Sequence, residues 1–209
     1  MKNEENGRLS KGVRDRCANA RSLCAKLEAQ SDGISAALPK LLIHVIRQLI
    51  ARLLAAETIH LETLAALSPA RCRRDAAIEA LYRQLSVFRQ VGMWNRGPVV
   101  PSGRLPREPR QLLAVAAGVR QHLDSPDLCQ QPGATFGVRF SPELQPVFDQ
   151  ATSELSAALA ELEEADRRSR KTRKARDEAM NDLDAHLSAA RSVQRALCDL
   201  RTLASGRGR

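Results

Sequence analysis

Aromatic side chains are nearly missing from this 209-residue chain: one Trp, one Tyr and four Phe. What replaces them is Ala, Leu, Arg, Glu and Gln, the composition of long helices packed through small and aliphatic groups. Paired cysteines are missing too. Cys17, Cys24, Cys72, Cys129 and Cys198 are odd in number, scattered and without a CxxC pair. That spacing excludes a disulfide framework or a zinc site and reads as buried thiols in a reducing compartment. No uncharged apolar run is long enough to span a bilayer. The most apolar stretch, 41–56, carries His44, Arg47 and Arg52, whereas a span needs about 20 nearly uncharged residues. The first twelve residues have no apolar core and do not read as a secretory signal. A cytoplasmic protein is the expectation.

Sequence marks of catalysis are equally scarce. The chain has no GxSxG elbow, no phosphate-cradling glycine loop, and no Cys with an identifiable His partner. Nothing in the motifs points to an enzyme, a cofactor or a small-molecule substrate. The formal net charge, by contrast, is +9. Such a balance favours contact with an anionic partner and says nothing of fold.

What is present in strength is an echo. Displaced by 102 positions, residues 71–91 fall on 173–193 with nine identities. Arg71, Arg74, Asp75, Ala77, Leu81, Leu85, Ser86, Arg89 and Val91 match Arg173, Arg176, Asp177, Ala179, Leu183, Leu187, Ser188, Arg191 and Val193. Leu42, Val45, Leu53, Ala55 and Ala56 match Leu144, Val147, Leu155, Ala157 and Ala158 at the same offset. A fixed displacement of this kind is the mark of a repeated structural unit.

Hydrophobic spacing sets the elements. Val13, Cys17, Ala20, Cys24 and Leu27 predict a first helix over 10–30, broken by Ser31-Asp32-Gly33. A stripe of Leu42, Val45, Ile46, Leu49, Leu53, Ala56 and Leu67 predicts a second over about 39–67. Ser68-Pro69 reads as an N-cap followed by Pro at the first helical position, hence a third helix over 69–91. Four Pro and three Gly in 92–110 interrupt helical structure. A short helix over 109–123 follows Pro109, then an irregular stretch in which 135–140 could pair as extended chain. Ser141-Pro142 opens the last segment. Residues 147–204 contain neither Gly nor Pro, and Phe148, Ala151, Leu155, Ala158, Leu162, Ala165, Leu183, Ala190, Val193, Leu197 and Leu200 hold one heptad register. Core positions in between are Ser169, Thr172 and Arg176, and the repeat places Ser68-Pro69 on Arg170-Lys171. A turn near 168–173 is therefore expected.

The fold class expected is all-α: a duplicated αα-hairpin forming an antiparallel four-helix bundle, with two short accessory helices and a Pro/Gly-rich crossover. The corresponding segments are 1–91, 92–141 and 142–204, with a tail at 205–209, in one structural domain.

Four constellations compete for function. Residues 167–176 hold seven cations, namely Arg167, Arg168, Arg170, Lys171, Arg173, Lys174 and Arg176. Arg71, Arg73 and Arg74 mark the matching hairpin tip, and the two tips together would make a polyanion-binding cap with a steep salt dependence. No aromatic is interleaved to stack on bases. Second, Glu57 and His60 have Glu-x-x-His spacing, but their repeat counterparts are Leu159 and Leu162, so no di-metal set is expected. Third, Ile43, Ile50, Leu54 and Leu61 widen the apolar face of the second helix where the other copy has Gln145, Thr152, Ser156 and Glu163. Such a surplus is covered either by the accessory helices or by a protein partner or second copy. Fourth, Trp94, Arg96, Arg104, Arg107 and Arg110 lie in the extended linker, as a recognition loop or a strap. The expected role is a non-enzymatic interaction or assembly module, with nucleic-acid or other polyanion binding as the alternative.

Overall fold

The computed structural model describes residues 9–30, 37–94, 104–123 and 144–206. Among them the regular structure is all helical, with four helices and no strand: α1 Lys11–Gln30, α2 Ala37–Trp94, α3 Pro109–Leu123 and α4 Leu144–Gly206. The expected extended pair at 135–140, Arg96, and the end of the chain beyond Gly206 lie outside the described residues.

The first and third helices match the spacing-based boundaries. Every apolar position of the α1 stripe, Val13, Cys17, Ala20, Cys24 and Leu27, is buried. Neither expected hairpin turn forms. α2 runs unbroken through Ser68-Pro69 over 58 residues, and α4 runs unbroken through 168–173 over 63. The reason lies in the seam. Leu67 and Ala70 are buried on either side of Pro69, and the stripe continues through Ala77, Leu81, Leu85 and Phe88 without losing phase. Ala65, whose carbonyl loses its helical donor to the proline ring, faces solvent, as do Ser68 and Pro69. Water can satisfy that carbonyl, so a local stop signal yields to packing. Pro69→Ala should then stabilise the protein by about 1–3 kcal/mol, the span between a hydrated and a fully penalised helix proline. Chemical denaturation would read this as a higher midpoint.

The chain gathers into two compact units, where one domain was expected. Unit 1 takes Met1–Ala65 with Arg167–Arg209, and unit 2 takes Ala66–Asp166. Each unit thus holds one short helix and a segment of both long ones. In unit 1 the α2 and α4 segments run antiparallel: Arg52 Nη1 meets Asp182 Oδ2 at 2.9 Å, while Arg176, earlier in α4, meets Glu57, later in α2. α1 closes the core, with Ile43, Ile46, Ile50 and Leu53 packed against Ala179, Leu183, Leu187 and Ala190. Exposed ion pairs tie α1 to its neighbours, Arg16 to Asp184 and Arg47 to Glu28. Pairs of this kind contribute about 0–1 kcal/mol each and mainly set orientation.

Unit 2 repeats the plan with α3. Ala77, Leu81, Leu85 and Phe88 meet Phe148, Ala151, Leu155 and Ala158, with Leu112, Ala116 and Val119 of α3 completing the core. The Phe88 and Phe148 rings stand edge to face, centroids 4.9 Å apart. The linker is tied down at its end. Leu105 is buried in this core, Arg107 lies over the Tyr82 ring at 5.9 Å, and Arg110 pairs with Glu163 at 2.9 Å. Among the described residues, that part of the linker is a strap.

Candidate functional site

One layer of unit 1 breaks the apolar rule. Glu57, His60 and Thr63 follow one another at three-residue steps on α2, so they share the face that meets α4. Glu57 is fully buried and His60 is 5% exposed, the two buried polar side chains among the described residues. Opposite them stand Thr172 and Arg176, which occupy heptad positions of the α4 seam.

Glu57 joins three helices. Its Oε1 accepts the Ser10 N–H at 2.9 Å. Ser10 is the N-cap of α1, since its carbonyl accepts the Arg14 N–H at 3.0 Å. A carboxylate from α2 therefore sits at the positive end of α1, where orphan amides and helix dipole favour a negative charge. Its Oε2 lies 3.7 Å from Arg176 Nη1, an ion pair too long for a hydrogen bond. Nε and Nη2 of that guanidinium are given instead to Asp177 Oδ1, at 3.0 and 2.7 Å. Glu57 Oε2 is consequently buried without a hydrogen-bond partner.

His60 heads a second network. Its Nδ1 lies 3.2 Å from Thr172 Oγ1, Thr172 Oγ1 lies 2.9 Å from Thr63 Oγ1, and Thr63 Oγ1 donates to the His60 carbonyl at 2.8 Å. The Thr172 hydroxyl also donates to the Ser169 carbonyl at 3.1 Å, so with both threonine protons given to backbone carbonyls the assignment that fits His60 is Nδ1–H donating to Thr172. Burial, first, and the Arg176 cation, second, hold the imidazole below its ordinary pKa, against the opposing pull of Glu57.

The chemistry open to this layer is structural. Glu57 Oε1 is taken by the Ser10 N–H, and Arg176 beside Oε2 would repel a metal ion there. Among the described residues no group of three or more His, Cys, Asp or Glu side chains is placed to hold a metal.

The expected basic cap is not assembled as two hairpin tips. Arg71, Arg73 and Arg74 lie within α2 in unit 2, and 167–176 lies within α4 in unit 1, because both helices continue where turns were expected. Arg73 is paired with Glu161 and Arg74 with Asp75. Of the seven cations on α4, Arg176 turns inward to Glu57. Arg173 and Lys174 reach Asp177 and Glu178 at 3.8 Å, while Arg170 and Lys171 are exposed. Arg170, Arg173 and Lys174 line an open cleft of about 340 Å³ together with Asp177, Glu178 and Asn181, so its wall carries both signs of charge.

The expected interface is also corrected. Ile43 and Ile50 are 5% and 7% exposed, inside the core that α1 and α4 close, and Leu54 packs against that core half-buried. Leu61 is half-buried as well. The surplus apolar face lies in a core shared with the chain's own α1 and α4. Exposed leucines stand elsewhere in unit 1, at Leu38 and Leu41 on α2 and Leu200 and Leu203 on α4.

Comparison with protein-family models, with curated proteins and with solved structures finds no match. No described helix is long and apolar enough to cross a membrane.

Proposed function

We propose that this chain is a non-enzymatic helical interaction module, formed by duplication and associating with itself through one end of unit 1. What supports duplication is burial at the 102-residue offset. Leu53 and Leu155 are both 0% exposed, as are Leu81 and Leu183, and Leu85 and Leu187 stand at 0% and 2%. The repeated element on this reading is a short helix followed by a long one, not a hairpin.

The observation that carries the assembly reading is the apolar end of unit 1. Leu38, Leu41, Leu200 and Leu203 are 46%, 61%, 62% and 67% exposed. In the register set by Arg52 on Asp182, the two numbers add to 234, so Ala37 faces position 197. Leu200 and Leu203 therefore lie beyond the position that faces Ala37, the first described residue of α2. Apolar side chains gathered in this way mark association surfaces.

Size-exclusion chromatography with light scattering at low and high salt tests this. The wild type should elute as a multiple of 23.0 kDa, and Leu200→Gln with Leu203→Gln should return it to a monomer. A wild-type monomer in both salts overturns self-association. The exposed Arg170 and Lys171 favour the second reading, polyanion binding. Excess absorbance at 260 nm that nuclease or high salt removes would establish it in place of the first.

A further inference from the structure

The polar layer sits where α1 begins, and that position gives it a use beyond packing. We infer that Glu57, His60, Thr63, Thr172 and Arg176 form an acid-sensitive catch, which holds α1 on unit 1 at neutral pH and loosens it on acidification. The inference does not depend on the assembly reading.

Arg176 stands between two carboxylates, 3.7 Å from buried Glu57 and 2.7 Å from half-buried Asp177. A proton on His60 would enter at Nε2, since Nδ1–H is engaged with Thr172. It would set a second cation beside Arg176, which Glu57 and half-buried Asp177 already share, on an imidazole only 5% exposed, where a desolvated charge is costly. The Glu57 carboxylate is the group holding Ser10, so strain in the layer reaches α1 at its N-cap. The charged groups that act on His60 are Glu57 from α2 and Arg173, Arg176 and Asp177 from α4.

The direction follows from linkage. Folded His60 holds its proton less tightly than an imidazole in water. The open or unfolded form therefore binds more protons just below pH 6.5, the ordinary value. The contribution to stability is complete above that value and declines as pH falls below it. His44 and His186, also in unit 1, are exposed.

Unit 2 supplies an internal reference. At the positions matching Glu57 and His60 it has Leu159 and Leu162, and α3 caps itself. Glu108 accepts the Arg110 and Gln111 N–H groups at 3.1 and 2.7 Å.

Hydrogen exchange of the full-length protein, followed by mass spectrometry and corrected for intrinsic rates, should be measured from pH 7.5 to 5.5. An imidazole of ordinary pKa that is barely protonated in the closed form favours opening by about tenfold at pH 5.5. Peptides from 11–30 should show an opening equilibrium raised by up to that factor, and peptides from 109–123 should not. His60→Gln, which keeps a hydrogen-bonding side chain, should flatten the α1 response. His60→Leu, which copies unit 2, should do the same. Equal pH responses in α1 and α3 would overturn the inference, and so would an α1 response that survives in the two variants.

Discussion

Arg176→Leu is expected to destabilise the protein by about 3–5 kcal/mol, the cost of leaving a buried carboxylate without its counter-charge. Glu57 is fully buried and its Oε2 already lacks a hydrogen bond, so loss of the guanidinium removes the compensation on that side. Adding Glu57→Leu should recover most of the loss, because an apolar pair of similar volume often matches a buried ion pair. Urea denaturation of the wild type, both single variants and the double variant measures the coupling. A cost below about 1 kcal/mol for Arg176→Leu would mean that solvent reaches Glu57 and that the layer is not a closed one.

The second large effect belongs to unit 2. Phe148 is 1% exposed and stands edge to face with Phe88, which is 2% exposed. Phe148→Ala should cost about 3–5 kcal/mol through lost transfer energy and the cavity left behind. Phe148→Ile, which introduces the residue found at the matching position 46, should cost less because it keeps most of the volume. Both are read from the denaturation midpoint. If the two variants had equal midpoints, the ring-to-ring contact rather than the filled volume would be what the site requires.

Much of the fold was legible because it is written locally. α1 and α3 begin and end where capping residues, Gly and Pro say they should. Both expected turns failed for a shared reason. Ser68-Pro69 is a sound local signal, yet the seam through Leu67, Ala70 and Ala77 continues in phase beneath it, and packing outweighs one lost hydrogen bond. At 168–173 the signal was polarity: Ser169, Thr172 and Arg176 at heptad positions look like a register that has failed. The register holds, and Thr172 and Arg176 are polar because His60 and Glu57 face them across the seam. Each half of the layer is visible in the sequence as an anomaly, leucines replaced by Glu57 and His60 on α2, core positions turned polar on α4. Neither explains itself, since partners such as His60 and Thr172 are 112 positions apart and only the antiparallel pairing brings them together. The apolar surplus at Ile43 and Ile50 was likewise real, but it lies in a core shared with α1 and α4, a choice that hydrophobic periodicity leaves open.

The interleaving of the two units has a consequence for how the chain is made. Unit 2 is one continuous stretch, complete once Asp166 has left the ribosome, whereas unit 1 needs both the start of the chain and everything from Arg167 onward. The apolar face of Ile43, Ile46, Ile50 and Leu53 is synthesised more than 100 positions ahead of its α4 partners, Ala179 to Ala190. Until then only α1 can shield it. Late-closing apolar surface of this kind is where nascent chains invite misassembly, and contacts such as Arg52 with Asp182, 130 positions apart, are slow to close. A message cut short just beyond residue 166 would release a finished unit 2 attached to an open unit 1.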